Sequence, residues 1–335
     1  MGAIVIVDAL WGDSGKGKTC AHLARRLEVP LAVRAGVGTN AGASVHLDDG
    51  REVRARQLPT GWLHPGTTVA VGSGVLVDPV VFADEVAGYG LEGRAVVDRR
   101  CAVIEPHHIA AEADDSHLVS VVGSTVTGNG HARASFALRR ARQARDVPEL
   151  EPYVGDVVEL ANRVARTSTV LVEGSQGTQL SLALSDDYPC TTSDNCTTAA
   201  ALDDVGLNWQ LLSEVVLVVK ALPTRVGTGP LPYEMSHAEA EARGIAEYGV
   251  VTGRPRRKAS AIDWDLLDFA CTVNGPTQIA LTFCDHVDPN VTGARHRDEL
   301  TAPVRTLIAE VERRTGVPVT LVDTGKLLTH MVDLP

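Results

Sequence analysis

A glycine-rich turn near the amino terminus constrains the fold of this chain more than any other feature. Residues 12–19 read GDSGKGKT, which satisfies the pattern G-x-x-x-x-G-K-[ST], and they follow the apolar, β-branched run 3–8. Residues 17–27 carry Leu and Ala at helical spacing. In a strand, turn and helix of this kind, backbone N–H groups and the helix amino terminus favour phosphate oxygens. The turn predicts a phosphate-binding loop, and a plain glycine turn is the alternative.

Short apolar runs continue along the chain and define the fold class. They begin at residues 31, 68, 168, 214, 278 and 318, and helical patterns lie at 134–145, 262–273 and 300–314. This alternation predicts an α/β fold with a mainly parallel central sheet, helices on both faces and long active-site loops. Because no repeat or obvious linker interrupts the pattern, we predict a single domain over residues 1–335.

Composition excludes several classes of partner. The 335 residues carry a net charge of −11 and only 4% are aromatic, so no basic or stacking face for nucleic acid is expected. The apolar start lacks a basic region, and no run approaches membrane-spanning length, so we expect a soluble, intracellular protein. The six cysteines form no C-x-x-C pair, which favours reduced, mostly buried thiols.

Asp13 is unusual within an anion-binding loop, because a carboxylate repels phosphate unless it has another task. Two tasks fit, namely binding Mg²⁺ and taking a proton from a substrate. An exposed aspartate that hydrogen-bonds the turn is the structural alternative. Lys16 and Lys18 would supply full positive charges to a phosphate.

Seven segments resemble the signature motifs of the adenylosuccinate synthetase family. Residues 11–18, WGDSGKGK, are similar to the family's WGDEGKGK. The other segments, in chain order, are TNAGAS at 39–44, EGSQGT at 173–178, YPCTTS at 188–193, TRVGTGP at 224–230, TGRPRR at 252–257 and DTG at 323–325. They resemble HNAGHT, EGAQGT, YP-x-x-TS, TRVGAGP, TGRRRR and STG, respectively.

The resemblance implies a ligase that consumes a nucleoside triphosphate. Members of the family phosphorylate the 6-oxygen of a 6-oxopurine nucleotide and then let the amine of aspartate displace the phosphate. By this resemblance Asp13 removes the N1 proton and binds Mg²⁺, with the carbonyl of Gly42 as a second metal ligand. Lys16 offsets charge on the transferring phosphoryl group, and Gln176 holds the purine.

The resemblance also implies three groups of binding residues. For the purine nucleotide they are Asp13, Ser14, Asn40, Ala41, Gly42, Ala43, Thr125, Arg139, Gln176, Thr192, Val226 and Arg254. For the phosphate donor they are Gly12, Ser14, Gly15, Lys16, Gly17, Lys18, Thr19, Arg256, Phe283, Asp285, Asp323, Thr324 and Gly325. For aspartate they are Val250, Val251, Thr252, Gly253, Arg254 and Arg256. The counterpart of Arg139 crosses a dimer interface in the family, which implies a homodimer.

A planar guanidinium suits the carboxylates of aspartate, which favours Arg254 and Arg256 for that task. On composition alone, the basic run 254–258 also fits a solvated loop or a patch for an anionic polymer. His107 and His108 have no partner at metal-ligand spacing, and we expect surface or capping histidines there.

Two positions depart from the family pattern, and the chain is about a hundred residues shorter than a usual member. Ala43 stands where the family has its catalytic histidine, and Ser14 stands where it has glutamate. His46 lies three residues beyond Ala43 and would face the opposite way in an extended segment. These features resemble the short phage-type branch, the 2-amino-2′-deoxyadenylosuccinate synthetases, which use dGMP to supply 2-aminoadenine for viral DNA. A phage-encoded protein would act in the host cytoplasm.

The donor site also departs from the family. TFCD at 282–285 stands for the family's TKLD, and Asp323 stands for the serine of STG. A carboxylate only accepts hydrogen bonds, so at residue 323 it would repel the 6-oxygen of guanine and favour the 6-amine of adenine. We therefore expect ATP or dATP as the donor rather than GTP.

Two other functions remain open at this point. The first is ordinary IMP-dependent adenylosuccinate synthesis, which the shared motifs favour. The second is a regulatory nucleotide-binding protein that hydrolyses slowly and forms no C–N bond.

Overall fold

The computed structural model describes residues 1–248, 253 and 255–335. The strands within these residues are β1 (Gly2–Asp8), β2 (Leu31–Arg34), β3 (Ala43–His46), β4 (Glu52–Ala55), β5 (Thr68–Val71), β6 (Ala95–Asp98), β7 (Val154–Gly155), β8 (Thr169–Glu173), β9 (Leu212–Lys220), β10 (Thr224–Arg225), β11 (Glu234–Met235), β12 (Arg257–Ala259), β13 (Gln278–Thr282), β14 (Val319–Asp323) and β15 (Met331–Asp333). The α-helices are α1 (Lys16–Leu27), α2 (Pro79–Tyr89), α3 (Pro106–Asp114), α4 (Asn129–Ala137), α5 (Val157–Ala165), α6 (Thr198–Val205), α7 (His237–Ala242), α8 (Trp264–Asn274) and α9 (Ala302–Thr315).

Ten of these strands form one sheet in the order β15-β14-β13-β9-β1-β8-β2-β5-β6-β7. Neighbours from β14 to β7 pair in parallel, and β15 pairs with β14 antiparallel at one edge. All seven apolar runs of the sequence are strands of this sheet, which confirms the predicted α/β class. The prediction of a single domain remains a prediction.

Both faces of the sheet are buried under helices. Alternate side chains of β1 enter two different cores, with Val5 in one and Ile6 in the other. Residues of α5, α6, α8 and α9 complete the first core, and residues of α1 and α2 complete the second. Strands covered on both faces are apolar at every position, which explains why the sequence shows continuous apolar runs instead of alternation.

The helix predicted at 134–145 is wrong in its extent. α4 ends at Ala137, and Arg139 has a φ of 59°. Beyond it, Arg142 O accepts a hydrogen bond from Val103 N at 3.0 Å, and Gln143 forms a β-bridge with Ala102. Pairing with this neighbouring segment overrides the helix propensity of the arginine-rich sequence. The helices predicted at 17–27, 262–273 and 300–314 are confirmed as α1, α8 and α9.

The topology brings the sequence motifs to one edge of the sheet. The glycine-rich turn follows β1, EGSQGT starts at the end of β8, and DTG starts at the end of β14. In a parallel sheet these carboxyl ends lie side by side, which is where α/β proteins bind ligands. Over the described residues, no helix has the length and apolar character needed to cross a membrane.

Candidate active site

A large cavity of about 1130 Å³ lies along this edge of the sheet. The sequence-predicted residues that line it are Gly12, Asp13, Ser14, Gly15, Lys16, Gly17, Lys18, Asn40, Ala41, Gly42, Ala43, Thr125, Gln176, Thr192, Val226, Gly253, Arg256, Phe283, Asp285, Asp323 and Gly325. Residues more than 300 positions apart in the chain therefore share one site. The volume lies just above the range of about 300–1,000 Å³ for single-ligand pockets, which suits more than one bound molecule.

Two glycines give the phosphate loop its backbone conformation, and Lys16 ties the loop to neighbouring segments. Gly12 and Gly15 have φ angles of 85° and 87°, a region that favours glycine. Lys16 is the first residue of α1, and its Nζ donates to Asp8 Oδ2 at 3.2 Å and to Gln176 O at 2.5 Å. Lys16 thereby joins β1 to the segment after β8 at the wall of the cavity.

Lys18 lies at the end of the cavity where the phosphate donor is predicted to bind, which we call the donor end. Its Nζ donates to Asp323 Oδ1 at 2.6 Å, to Gly325 O at 2.6 Å and to His330 O at 3.1 Å. An ammonium group has three N–H donors, so all of them are used. The structure therefore places Lys18 on the segment after β14, whereas the sequence analysis expected its charge to be directed at phosphate.

Asp13 has contacts on both its side chain and its backbone. Its carboxylate, about a quarter exposed, forms an ion pair with the guanidinium of Arg256. Its carbonyl accepts a hydrogen bond from Lys220 Nζ at 2.9 Å. Burial lowers the pKa of Arg256 to about 10. Gly42 lines the same cavity, and a carboxylate with a carbonyl oxygen is a donor set that Mg²⁺ accepts.

Polar side chains gather where the purine nucleotide is predicted to bind. Asn40 Nδ2 donates to Thr192 Oγ1 at 3.2 Å, and Thr125 Oγ1 lies 3.0 Å from Thr127 Oγ1. Among the described residues, the buried Oδ1 of Asn40 and Oγ of Ser14 have no hydrogen-bond partner. Buried polar atoms without partners are costly, so a ligand that bonds to them would be favoured.

The donor end of the cavity carries two carboxyl groups, of which Asp323 is buried and Asp285 is half-buried. Burial raises the pKa of Asp285 to about 6, and the charge of Asp323 acts in the same direction. Phe283 has a φ of 57°, and its ring centroid lies 4.1 Å from Lys220 Nζ. The site therefore offers a flat apolar surface beside acceptor groups.

Residue 43 faces the phosphate loop. A Cβ built on Gly17 would lie 2.6 Å from the Cβ of Ala43, so these two residues are in close contact. Along β3, Val45 is buried in a hydrophobic cluster, whereas His46 lines the cavity 3.7 Å from Glu52. Because Ala43 and His46 both line the cavity, the expectation that His46 does not replace a side chain at position 43 remains a prediction. Burial and the charge of Lys326 lower the pKa of His46.

Some predicted residues do not reach the cavity surface. The hydroxyls of Thr19 and Thr324 donate to Gly15 O at 3.1 Å and to Ala294 O at 2.7 Å, respectively, and both residues are fully buried behind it. Arg139 is exposed and lies outside the cavity lining. The predicted aspartate-binding residues Val250, Val251, Thr252 and Arg254 lie outside the described residues.

His108 has a structural role, as expected. Its Nδ1 accepts from Glu105 N at 3.1 Å, and its Nε2 lies 3.1 Å from Ser135 Oγ. Glu105, His107 and His108 bring their ligand atoms within 4.8 Å of one another. Both ring nitrogens of His108 already have partners, and Glu105 with His108 forms the capping box of α3; that the group binds no metal remains a prediction.

Sequence reasoning missed several charged residues around the cavity. Glu173 Oε1 accepts from Arg34 Nη1 at 2.7 Å, and Arg225, only 1% exposed, donates to Cys190 O at 2.6 Å and Pro230 O at 2.8 Å. Glu173 and Lys220 each end an apolar strand. A charged residue at the carboxyl end of an apolar run was the signal that could have identified both.

Fold and site together are those of a nucleotide-binding α/β protein, and comparison with known proteins identifies the family. The family model for adenylosuccinate synthetase matches residues 5–151 and 144–290. Adenylosuccinate synthetase of Archaeoglobus fulgidus is 43% identical over 100% of this chain and 98% of its own length. That of Thermococcus sibiricus is 41% identical over 100% of this chain and 99% of its own.

Two solved structures share the fold. The fully ligated adenylosuccinate synthetase of Plasmodium falciparum has a TM-score of 0.90 at 20% identity and covers both chains completely. Succinoaminodeoxyadenylate synthetase of cyanophage S-2L, bound to dGMP and to dATP as an energy donor, has a TM-score of 0.83 at 24% identity, covering 100% of this chain and 95% of that one. The chain belongs to the adenylosuccinate synthetase family. It is thus a ligase that forms a C–N bond at the expense of a nucleoside triphosphate.

Proposed function

We propose that this protein joins the amine of L-aspartate to C6 of a 6-oxopurine nucleoside monophosphate. The observation that carries the proposal is a carboxylate, Asp13, inside a phosphate loop whose cavity also holds Gln176 and Arg256. Asp13 takes the N1 proton, the 6-oxygen attacks the terminal phosphorus of the donor, and the nucleoside diphosphate leaves. The amine of aspartate then attacks C6, and the 6-oxygen leaves within inorganic phosphate.

Lys16 and Arg256 supply positive charge to this chemistry. Lys16 is fixed between Asp8 and Gln176, so its ammonium sits at a constant position beside the phosphate loop. Arg256 pairs with Asp13 in the structure. The carboxylates of aspartate offer Arg256 another partner, and its departure frees Asp13 for the N1 proton.

Mg²⁺ is the metal that fits this site. The carboxylate of Asp13 and the carbonyl of Gly42 would hold it together with oxygens of the substrates, since hard oxygen donors suit this ion. When bound, it offsets the negative charge of the donor phosphates.

IMP is the first candidate for the acceptor, because full-length relatives at 41–43% identity are adenylosuccinate synthetases. These relatives align with this chain over 98–99% of their own length. The short length, expected to indicate the phage-type branch, is therefore shared with archaeal members and does not separate the two acceptors.

dGMP is the second candidate, and residues 14 and 43 favour it. Ser14 is 1% exposed and its hydroxyl has no partner among the residues that the structure describes, so the loop carries a small polar group where the family has glutamate. Guanine keeps the N1–H and C6=O groups of hypoxanthine and adds a 2-amino group, which a smaller residue accommodates. Ala43 replaces the family's histidine, so the chain departs from ordinary IMP-dependent members at a second position of the site.

For the donor we propose ATP or dATP, against the family's usual GTP. The supporting observation is Asp323, which is 4% exposed: its Oδ1 accepts from Lys18 Nζ, and its Oδ2 lies close to Gly15 at the donor end. A carboxylate accepts from the 6-amine of adenine and repels the 6-oxygen of guanine. Arg139 is exposed and outside the cavity of its own chain, which supports the proposal that it binds nucleotide across a homodimer interface.

The test is a panel of nine reactions analysed by mass spectrometry. IMP, dGMP and GMP are each incubated with aspartate, Mg²⁺ and ATP, dATP or GTP. We expect a succinylated product that requires aspartate, and an Asp13→Asn variant that makes little of it. A faster reaction with IMP supports the first candidate, and a faster one with dGMP the second. Triphosphate hydrolysis without any aspartate adduct would instead support the regulatory protein.

A further inference from the structure

A group of four charged or titratable side chains, two of them buried and two at the cavity wall, lies beside the phosphate loop, and the proposed chemistry does not use it. Lys220, Glu247, Lys258 and His286 form this charged cluster. Lys220 ends β9 and Lys258 lies in β12, and their side chains are only 2% and 1% exposed. Two ammonium groups in such a position require a compensating partner, since burying an unpaired charge is costly.

Glu247 is that partner for both lysines. Its Oε1 lies 2.7 Å from Lys220 Nζ, and its Oε2 contacts Lys258 Nζ. Lys258 Nζ also lies 3.0 Å from Nδ1 of His286, and burial and the charge of Lys258 lower the pKa of this histidine to about 4. With His286 neutral, one carboxylate balances two buried ammonium groups. Burial alone would raise the pKa of Glu247, but the two lysines hold it below its usual value.

The charged cluster connects to the phosphate loop and to the proposed aspartate site. Lys220 Nζ donates to Asp13 O at 2.9 Å. The backbone oxygen of Glu247 accepts from Arg256 N at 2.8 Å, and Tyr248 O accepts from Arg256 Nε at 3.0 Å. Residues 247 and 256 bracket the segment 250–256 proposed to bind aspartate, with residue 247 three positions before its first residue. These two residues are therefore joined to each other and, through Lys220, to the residue proposed as the base.

We propose that Glu247 is a positioning residue for aspartate. Held by Lys220 and Lys258, it fixes the two residues that bracket the aspartate-binding segment and sets their position relative to Asp13. This inference rests on the proposed function, because it assumes that residues 250–256 bind aspartate. Glu247 itself contacts no reacting atom in this account.

The two obvious substitutions differ in the charge that they leave behind. Glu247→Gln leaves Lys220 and Lys258 facing each other without a counter-charge, whereas Lys258→Met leaves the Lys220–Glu247 pair intact. We expect Glu247→Gln to raise the KM for aspartate about ten- to a hundredfold, since small displacements of binding groups have effects of that size. The KM values for both nucleotides should stay within about twofold. Lys258→Met should raise the aspartate KM in the same direction, but less.

Glu241→Gln is the matched control. Glu241 lies on the exposed surface of α7, so the same substitution of glutamate by glutamine is made there without touching the charged cluster. Its KM values should equal those of the wild type. Circular dichroism melting of each variant identifies one that fails to fold, and in that event the Lys258→Met variant decides the test.

Two results would overturn the inference. The first is an unchanged aspartate KM in both variants. The second is a rise in the KM values of all three substrates by the same factor, which indicates a general structural role. Failure of the proposed function is distinguishable, because the wild-type protein would then form no aspartate adduct with any purine nucleotide, and both proposals would fall together.

Discussion

Replacing Gly177 by alanine should displace the phosphate loop. A Cβ at this position would lie 2.4 Å from Leu10 O, 2.6 Å from Asp8 Oδ1 and 2.6 Å from Gly12 N. Ordinary van der Waals contact begins at about 3.4 Å, so the Leu10 contact requires a shift of 3.4 − 2.4 = 1.0 Å. Two of these three neighbours are backbone atoms, and a rotamer change cannot move them.

The expected magnitude follows from this displacement. Overpacking a buried site costs about 1–3 kcal/mol of folding stability, and backbone neighbours place this variant toward the upper end. A shift of about 1 Å in groups that orient a substrate costs on the order of a hundredfold in rate. We therefore expect kcat/KM to fall by about that factor, with a lower Tm.

The assay is phosphate release with aspartate present, because it responds to any triphosphate donor, and melting is followed by circular dichroism. Gly88→Ala is the matched control: Gly88 lies in the exposed part of α2, and a Cβ there meets nothing within 4 Å. This control should keep full activity and gain stability of about 0.5–1 kcal/mol, since glycine weakens a helix interior. A Gly177→Ala variant with wild-type activity and Tm would refute the reasoning.

Three further predictions concern pH, thiol reactivity and donor choice. Burial raises the pKa of Asp204 from 3.8 to about 7, so the folded state binds the extra proton between these values and stability falls as the pH rises through them. The free energy of unfolding of an Asp204→Asn variant, followed by melting across this pH range, should not show this decrease of on the order of 4 kcal/mol. A decrease with the wild-type slope would contradict the raised pKa of Asp204. Cys190 lines the cavity and is half-buried, whereas Cys20, Cys101, Cys196 and Cys284 are buried and burial raises the pKa of the half-buried Cys271 to about 11. A maleimide should therefore modify Cys190 first, and nucleotide should slow this modification; equal labelling with and without nucleotide would count against the site. Asp323→Ser should raise the ratio of GTP to ATP turnover about tenfold, and an unchanged ratio in initial-rate measurements would remove the basis for an adenine donor.

The sequence predicted the sheet well because its strands are buried on both faces. Continuous apolar runs such as that of β9 are specified by burial alone. The helix expected at 134–145 failed because pairing of residues 142–143 with 102–103 depends on tertiary contacts. The antiparallel edge strand β15 is three residues long and carries no periodic signal of its own.

The site was predictable to the extent that its residues lie in recognisable motifs. Asp13, Gln176 and Asp323 were located in this way, and the structure brings them to one cavity. The ion pairs between side chains were not predictable from the sequence, because they depend on which strand ends become neighbours. The pairing of Lys18 with Asp323, and of Glu247 with Lys220 and Lys258, joins residues from different segments of the chain.

The central claim is that the 6-oxygen of the purine becomes part of the released phosphate. The most direct measurement uses IMP and dGMP labelled with ¹⁸O at C6, incubated with aspartate, Mg²⁺ and the preferred donor, followed by mass spectrometry of inorganic phosphate. The account predicts one ¹⁸O atom in each phosphate released and none in the succinylated nucleotide. Unlabelled phosphate, with the label retained in the nucleotide or lost to water, would contradict it.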